Sequence, residues 1–169
     1  MRSYILHVNV IIITQITGKV KMNRQNIYDQ LKIDEGVMYE IYRDHLGYAT
    51  FGVGHLVTSN DAESGQPIGT TVSEERVLEM FEFDLDLHIC ECIALYGETL
   101  WKEFSGEVQE ILVNMCFNMG RTRLGKFKKM TAAMERKDWA TAAMEGRDSI
   151  WYKQVGNRAE RLMSRMENV

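Results

Sequence analysis

Residues 33–56 read Ile-Asp-Glu-Gly-Val-Met-Tyr-Glu-Ile-Tyr-Arg-Asp-His-Leu-Gly-Tyr-Ala-Thr-Phe-Gly-Val-Gly-His-Leu, and the residue pattern changes within this stretch. Before it, Ile27 and Leu31 lie one helical turn apart, and Gly36 is well placed to end a helix. Within it, beyond Gly36, aromatic and β-branched residues lie on both sides of a turn at 44–47, which is typical of a small antiparallel hairpin or meander. The sequence therefore predicts a short helix ending at 35, followed by a small sheet.

The sequence downstream of this stretch favours helices. Residues 58–71 are rich in turn signals and predict a loop. Ser73 followed by two glutamates is a good helix start, and the helix should run to about 96. Apolar residues at four-residue steps define its buried face: Val77, Phe81, Leu85 and Ile89. Further helices are predicted over 105–119, 127–136, 138–145, 148–154 and 157–167. They should form a bundle around Ile111, Leu112, Phe117, Phe127, Trp139 and Trp151.

Composition is consistent with one globular domain. The chain has 169 residues, 45% hydrophobic and 26% charged, which argues against disorder. One proline against 13 glycines and 11 methionines disfavours a β-sandwich. We expect an α+β, mostly α fold with two lobes: an N-terminal lobe over about 22–72 with the sheet, a linking helix over about 73–96, and a helical lobe over about 97–169.

The three cysteines, Cys90, Cys92 and Cys116, do not form a framework of paired bridges, and their odd number suggests a reducing compartment. Cys90 and Cys92 are one residue apart in a helical pattern, so their side chains diverge. We expect core or partly exposed thiols and no bound metal.

The N-terminus predicts a segment outside the fold. Residues 4–16 are largely apolar, but the run is too short for a membrane span, which needs about 20 residues. Arg2 precedes it as in a signal peptide, yet no small-residue cleavage site follows. We expect residues 1–21 to be an extension outside the fold and 22–169 to be the domain; a signal-anchor is the alternative.

Charge is divided unevenly along the chain. Residues 121–169 hold 12 basic and 6 acidic side chains and carry a net charge of +6. Because the whole chain carries −4, residues 1–120 carry −10. This division suggests an anionic polymer as partner of the C-terminal part, although a solvated charged surface explains it equally well. Nucleic acid is disfavoured, because no basic stripe interleaved with aromatic residues occurs.

Two carboxylates and a hydroxyl lie near the start of the domain: Glu35 at the helix end, Asp44 at the hairpin turn, and Thr50. Cleaving a glycosidic bond needs an acid for the leaving oxygen and a second carboxylate that stabilises charge or directs a water. A Glu35 shielded by apolar neighbours would stay protonated, and an Asp44 in an open turn would be ionised. Gly52 and Gly54 would let a sugar chain approach the backbone. On spacing alone, solvated carboxylates at a turn and a helix end are the more common explanation.

The residues themselves resemble a known family. The segments Ile33-Asp34-Glu35-Gly36, Tyr42-Arg43-Asp44 and Thr50-Phe51-Gly52-Val53-Gly54-His55-Leu56 resemble, with every gap, the glycoside hydrolase family 24 lysozymes of T-even-type phages. Farther on, residues 114–120, 147–152 and 157–159 look like the same family's C-terminal lobe. This part is especially similar to the lysozyme domain of the tail-spike baseplate proteins of these phages.

The resemblance implies roles for the catalytic residues. Glu35 would be the general acid, Asp44 the carboxylate that stabilises charge or activates water, and Thr50 the residue that places this water. The family inverts the anomeric configuration.

The resemblance also implies roles for other residues, and the sequence departs from the family in places. Leu56 and Phe117 match positions that line the glycan cleft, although both fit ordinary core packing as well. His55 would form a structural ion pair with Asp84. Met130 stands where the family often has a serine in the cleft, and Glu145 replaces a frequent asparagine.

The function implied is an endolysin-type muramidase that hydrolyses the β-1,4 bond between N-acetylmuramic acid and N-acetylglucosamine in peptidoglycan. The alternatives are a tail-associated lysozyme that acts during infection, a non-catalytic glycan-binding module and a lytic transglycosylase. We expect a monomer that binds peptidoglycan glycan strands and needs no cofactor, without nucleic acid or a stable membrane span. It would stay in the host bacterial cytoplasm until release to the cell wall.

Overall fold

The computed structural model describes residues 20–169 and divides them into two compact units. The first, here called the sheet unit, is Arg24–Leu87. The second, the helical unit, is His88–Val169 together with residues before Arg24. Most described residues are helical and the strands form one small antiparallel sheet. The predicted α+β, mostly α fold class is therefore confirmed.

The sheet unit contains one short helix, three strands and the first part of a long helix. These are α1 (Arg24–Glu35), β1 (Met38–Arg43), β2 (Ala49–Gly52), β3 (His55–Leu56) and α2 (Glu74–Tyr96). The strands pair in the order β1-β2-β3, all antiparallel, with Tyr42 opposite Thr50 and Phe51 opposite His55. The segment between β3 and α2 consists of turns, as predicted, and Thr71 bridges to Glu40 of β1.

The core of the sheet unit lies where α2 packs on the sheet. Its buried residues are Ile41, Phe51, Val72, Val77 and Met80. The predicted buried face of α2 is confirmed, since all four of its apolar residues are at most 2% exposed. Gly52 is required here, because its φ is +62° and a Cβ would lie 3.2 Å from Val77 Cγ1. Its small size serves packing within the protein, whereas Gly54 is exposed with open space around it.

The helical unit contains the second part of α2 and six further helices. They are α3 (Glu98–Glu103), α4 (Gly106–Leu124), α5 (Lys128–Glu135), α6 (Trp139–Arg147), α7 (Ile150–Val155) and α8 (Asn157–Glu167). Of the predicted core residues, Ile111 and Leu112 are fully buried, and Trp151 is 8% exposed. The other three aromatic residues are half-buried: Phe117, Phe127 and Trp139.

Side-chain caps account for several helix starts. Ser105, Asp138 and Ser149 each accept a hydrogen bond from a backbone N–H three residues later, which satisfies a donor that the first turn leaves open. α4 passes through Gly120, where φ is +76° and ψ is 159°, so the helix kinks there instead of ending. α3 was not predicted.

The segment before Arg24 belongs to the helical unit. The backbone N–H of Lys21 donates to Gln109 Oε1 at 2.7 Å, its Nζ donates to the Lys102 carbonyl at 2.6 Å, and Met22 is buried. Lys21 thus contacts the fold, although the prediction placed it in the extension. The rest of the predicted extension, apart from residue 20, lies outside the described residues. Between residues 20 and 169, no helix has both the length and the apolar character needed to cross a bilayer.

Candidate active site

Asp44 sits at the turn between β1 and β2 and is held there by the backbone. Its Oδ1 accepts hydrogen bonds from the N–H groups of Leu46 at 2.9 Å and Tyr48 at 2.8 Å. Its own N–H donates to the Tyr48 carbonyl at 2.9 Å, and Arg43 Nη1 donates to the Gly47 carbonyl at 2.7 Å. Gly47 has a φ of +88°, which a tight turn of this kind requires. The turn therefore fixes the orientation of a half-buried carboxylate.

Thr50 lies on β2 and is connected to the same turn. Its side chain is 4% exposed and its hydroxyl donates to the Tyr48 carbonyl at 3.2 Å. This carbonyl also accepts the Asp44 N–H, so the two side chains are positioned by one peptide group. Because its hydrogen is donated, the Thr50 oxygen presents lone pairs that can accept a hydrogen bond.

Glu35 is the last residue of α1. The N–H of Gly36 donates to the Lys32 carbonyl at 3.0 Å and its φ is +77°, which ends the helix and turns the chain into β1, as the sequence predicts. The Glu35 side chain is exposed. The predicted apolar shielding is therefore wrong, because this helix terminus reaches solvent.

The hydroxyl of Tyr42 is affected by the charge of both carboxylates. Burial, the charge of Asp44 and the charge of Glu35 all raise the pKa of its hydroxyl. Tyr42 is on β1 two residues before Asp44 and opposite Thr50. Glu35 and Asp44 therefore both act electrostatically on one tyrosine, and Thr50 lies opposite this tyrosine on the neighbouring strand. Tyr42 belongs to the Tyr42-Arg43-Asp44 motif, but no role was predicted for it from the sequence.

His55 is placed beside acidic residues on two different segments. Its Nδ1 is 2.8 Å from Asp84 Oδ2 on α2, and its Nε2 is 3.4 Å from Asp61 Oδ2 in the turn segment. Burial lowers the pKa of His55, but the hydrogen bond and charge of Asp84, followed by those of Asp61, raise it above its usual value. The contact with Asp61 was not predicted, because it depends on how the turn segment folds back.

The three predicted substrate-binding residues are in different environments. Leu56 on β3 is 48% exposed and free to contact a ligand. Phe117 on α4 is half-buried against the ring of His88, with ring centroids 4.2 Å apart. Met130 on α5 is only 1% exposed, although it lines a pocket.

This pocket belongs to the helical unit and measures about 830 Å³. Trp151 lines it, with its Nε1 donating to Asn118 Oδ1 at 2.8 Å and its ring against that of Phe127. Basic side chains also line it: Arg123, Lys126, Lys128 and Lys129. An amphipathic aromatic surface beside cationic groups can accept a sugar ring that carries acidic substituents. Glu145 lines the pocket as well, with Lys129 Nζ 3.8 Å from its carboxylate.

Comparison with known proteins identifies the family to which this sequence is similar. The sequence model of the phage lysozyme family matches residues 32–168. The chain is 30% identical over 159 residues to probable T4-type lysozyme 2 of Dictyostelium discoideum, an alignment that covers 84% of this chain and 94% of that protein. It is 30% identical over 150 residues to the pre-baseplate central spike protein Gp5 of Enterobacteria phage T4, covering 79% of this chain and 26% of the spike protein.

A third relative is the peptidoglycan hydrolase gp36 of Pseudomonas phage phiKMV, with 30% identity over 149 residues, 88% of this chain and 16% of that protein. The family match includes most of the chain and contains the helix end, the hairpin and the pocket described above. The chain therefore belongs to the phage lysozyme family and is a lysozyme-type hydrolase.

Proposed function

We propose that the chain is an endolysin-type muramidase that hydrolyses the β-1,4 bond between N-acetylmuramic acid and N-acetylglucosamine, with inversion. The observation that carries the proposal is the geometry of the Asp44 turn: two backbone N–H groups hold the Asp44 carboxylate, and the Tyr48 carbonyl that accepts the Asp44 N–H also accepts the Thr50 hydroxyl. Family membership supports the lysozyme activity; the bond cleaved, the stereochemistry and the biological role belong to the proposal.

Glu35 is the general acid in this mechanism. It lies at the exposed end of α1, where a glycan strand can reach it from solvent. Donating its proton to the glycosidic oxygen turns the leaving sugar into a neutral alcohol. Proton transfer of this kind contributes roughly 10²–10⁴-fold to the rate.

Asp44 and Thr50 act on the opposite face of the sugar. All hydrogen bonds that the structure shows to the Asp44 side chain within residues 20–169 end on Oδ1. Oδ2 is therefore the atom that accepts the proton of the attacking water. The Thr50 oxygen accepts the second hydrogen of this water and aims its lone pair at the anomeric carbon. Direct attack by water on this carbon inverts its configuration.

Substitution of the two carboxylates tests the proposal. Glu35→Gln and Asp44→Asn should each lower the rate of turbidity loss of purified peptidoglycan by at least about 100-fold, because each removes a proton donor or acceptor without changing size. Glu40→Gln is the matched control, since Glu40 is an exposed glutamate of the same hairpin, and its activity should stay within about twofold. Circular dichroism verifies that all three variants fold.

Product analysis distinguishes the competing reactions. A muramidase releases fragments with reducing N-acetylmuramic acid ends, and proton NMR of the first product should show the inverted anomer. Anhydro-sugar ends would instead identify a lytic transglycosylase, and full activity of either carboxylate variant would contradict the assigned roles.

Similarity to the spike protein supports a second role, a lysozyme of the phage tail. Recovery of the chain with purified phage particles would identify this role.

A further inference from the structure

A cluster of metal-binding side chain types lies in the helical unit, outside the residues proposed for catalysis. His88 and Glu91 project from one turn of α2, three residues apart, and Cys116 projects from α4. The three ligand atoms are close together: His88 Nδ1 is 2.9 Å from Glu91 Oε2, Cys116 Sγ is 3.4 Å from Glu91 Oε2, and Cys116 Sγ is 3.7 Å from His88 Nδ1.

These separations match those of a tetrahedral zinc site. Zinc binds sulfur at about 2.3 Å and imidazole nitrogen or carboxylate oxygen at about 2.0–2.1 Å. With tetrahedral angles, these bond lengths place the nitrogen and oxygen about 3.3 Å apart and the sulfur about 3.5 Å from each of them. Only the nitrogen–oxygen distance must lengthen, by about 0.4 Å, and Glu91 has a flexible side chain for this adjustment.

The surroundings hold the ligands in place and leave access from solvent. Cys116 is buried, while the side chains of His88 and Glu91 are 20% and 31% exposed. The ring of Phe117 packs against the imidazole and restricts its rotation. Cys92 is not part of the trio. Its sulfur lies 3.7 Å from the Leu112 carbonyl and is also in contact with Cys116.

We propose that His88 Nδ1, Glu91 Oε2 and Cys116 Sγ form a zinc site, with water as the fourth ligand. A set of one thiolate, one imidazole and one carboxylate favours zinc over the oxygen-seeking Mg²⁺ and Ca²⁺. Binding displaces two protons, the thiol proton of Cys116 and the proton that His88 Nδ1 shares with Glu91 Oε2, and both pass to solvent. The metal then joins α2 to α4 within the helical unit. The site stabilises the fold. It was not expected from the sequence, because its residues are too far apart along the chain to form a recognisable motif.

Cobalt is the probe that reports on the sulfur ligand. The full chain, stripped of metal with a chelator, is titrated with Co²⁺ alone and then with Zn²⁺. One equivalent of Co²⁺ should produce a thiolate-to-metal charge-transfer band in the near ultraviolet together with visible bands of tetrahedral cobalt, and Zn²⁺ should abolish both. Zn²⁺ should also raise the melting temperature, since it binds only the folded state.

Single substitutions identify the ligands. Cys116→Ala should remove the charge-transfer band, and Glu91→Gln and His88→Asn should each raise the dissociation constant at least about tenfold. Cys90→Ser is the matched control, because it removes a thiol of α2 that lies outside the trio, and it should leave the band unchanged. Should Cys116→Ala fail to fold, the two α2 variants carry the test.

The proposal is overturned if the wild-type chain gives no charge-transfer band with Co²⁺. It is equally overturned if the band persists in Cys116→Ala or disappears in Cys90→Ser. Unchanged affinity in both Glu91→Gln and His88→Asn would also overturn it.

Discussion

His55 is the residue whose environment gives the clearest pH effect. Asp84 on α2 and Asp61 in the turn segment raise its pKa above the unfolded value, although burial opposes this. A raised pKa means that the folded state binds the proton more tightly than the unfolded chain. The stabilisation is therefore complete below about pH 6.5, the pKa of histidine in the unfolded chain. It is lost as the pH rises through the higher pKa that His55 has in the folded state.

We expect the free energy of unfolding to fall as the pH rises above about 6.5, measured by urea denaturation at several pH values. Asp84→Asn should weaken this dependence, because it removes the nearer carboxylate. His45→Gln removes an exposed histidine and should leave the dependence unchanged. An NMR titration in which His55 shows no upward displacement of its pKa would contradict the prediction.

Tyr42 allows the position of the two carboxylates to be tested without an activity assay. Burial, then Asp44, then Glu35 raise the pKa of its hydroxyl. We expect Asp44→Asn and Glu35→Gln each to lower this pKa, with the larger change for Asp44→Asn. The measurement is an NMR titration of ring-labelled tyrosine. No change in the Glu35→Gln variant would show that Glu35 lies away from the hairpin.

Residue roles were predictable to different degrees. Glu35, Asp44 and Thr50 were identified because a resemblance covers their motif and spacing, and their roles stay predictions. Asp61 was missed because its contact with His55 depends on the path of the turn segment. The cluster at Cys116 was missed for a similar reason: it joins two helices, and sequence alone does not show which of their faces meet.

At the scale of elements, the sequence predicted those with strong local signals. α2 follows the hydroxyl cap and the four-residue apolar repeat that predicted it, and its start differs by one residue. α3 was missed because its six residues are too few for a periodic pattern, and Gly97 at its start provides no side-chain cap. α4 extends beyond the predicted end at 119, because a glycine with positive φ kinks the helix without ending it.

Gly106 marks the contact between α4 and the segment before α1. A Cβ at this position would lie 2.6 Å from the Lys21 carbonyl oxygen, which is a backbone atom and cannot rotate away. We expect Gly106→Ala to lower the free energy of unfolding by about 1–3 kcal/mol through overpacking, as measured by urea denaturation. Without the contact, alanine in a helix would stabilise by up to about 1 kcal/mol, so the sign of the change is diagnostic.

Deletion of residues 1–21 provides the control for this substitution. The shortened chain lacks the Lys21 carbonyl, so Gly106→Ala should destabilise it less than it destabilises the full chain. Equal destabilisation in both chains would show that the segment does not pack against Gly106.

At the scale of the whole molecule, the uneven charge is the property that matters for a polymer substrate. The chain carries −4 overall, but residues 121–169 carry +6. Lys126 and Lys128 line the pocket of the helical unit, where a glycan with anionic substituents would meet them. Attraction of this kind acts over the Debye length, which is about 10 Å at 0.1 M salt, so it is strongly screened at moderate ionic strength.

We expect the rate of cell-wall lysis to fall about 3- to 10-fold between roughly 20 and 200 mM NaCl, despite the negative net charge. The double variant Lys126→Gln/Lys128→Gln should lose most of this dependence, because it removes two cations from the pocket wall. Lys102→Gln/Lys137→Gln is the matched control: it changes net charge equally at two exposed lysines outside the pocket, which pair with Glu98 and Glu103. If both double variants respond to salt alike, net charge governs the encounter and the pocket lysines do not. A flat wild-type profile would show that the +6 segment does not attract the wall.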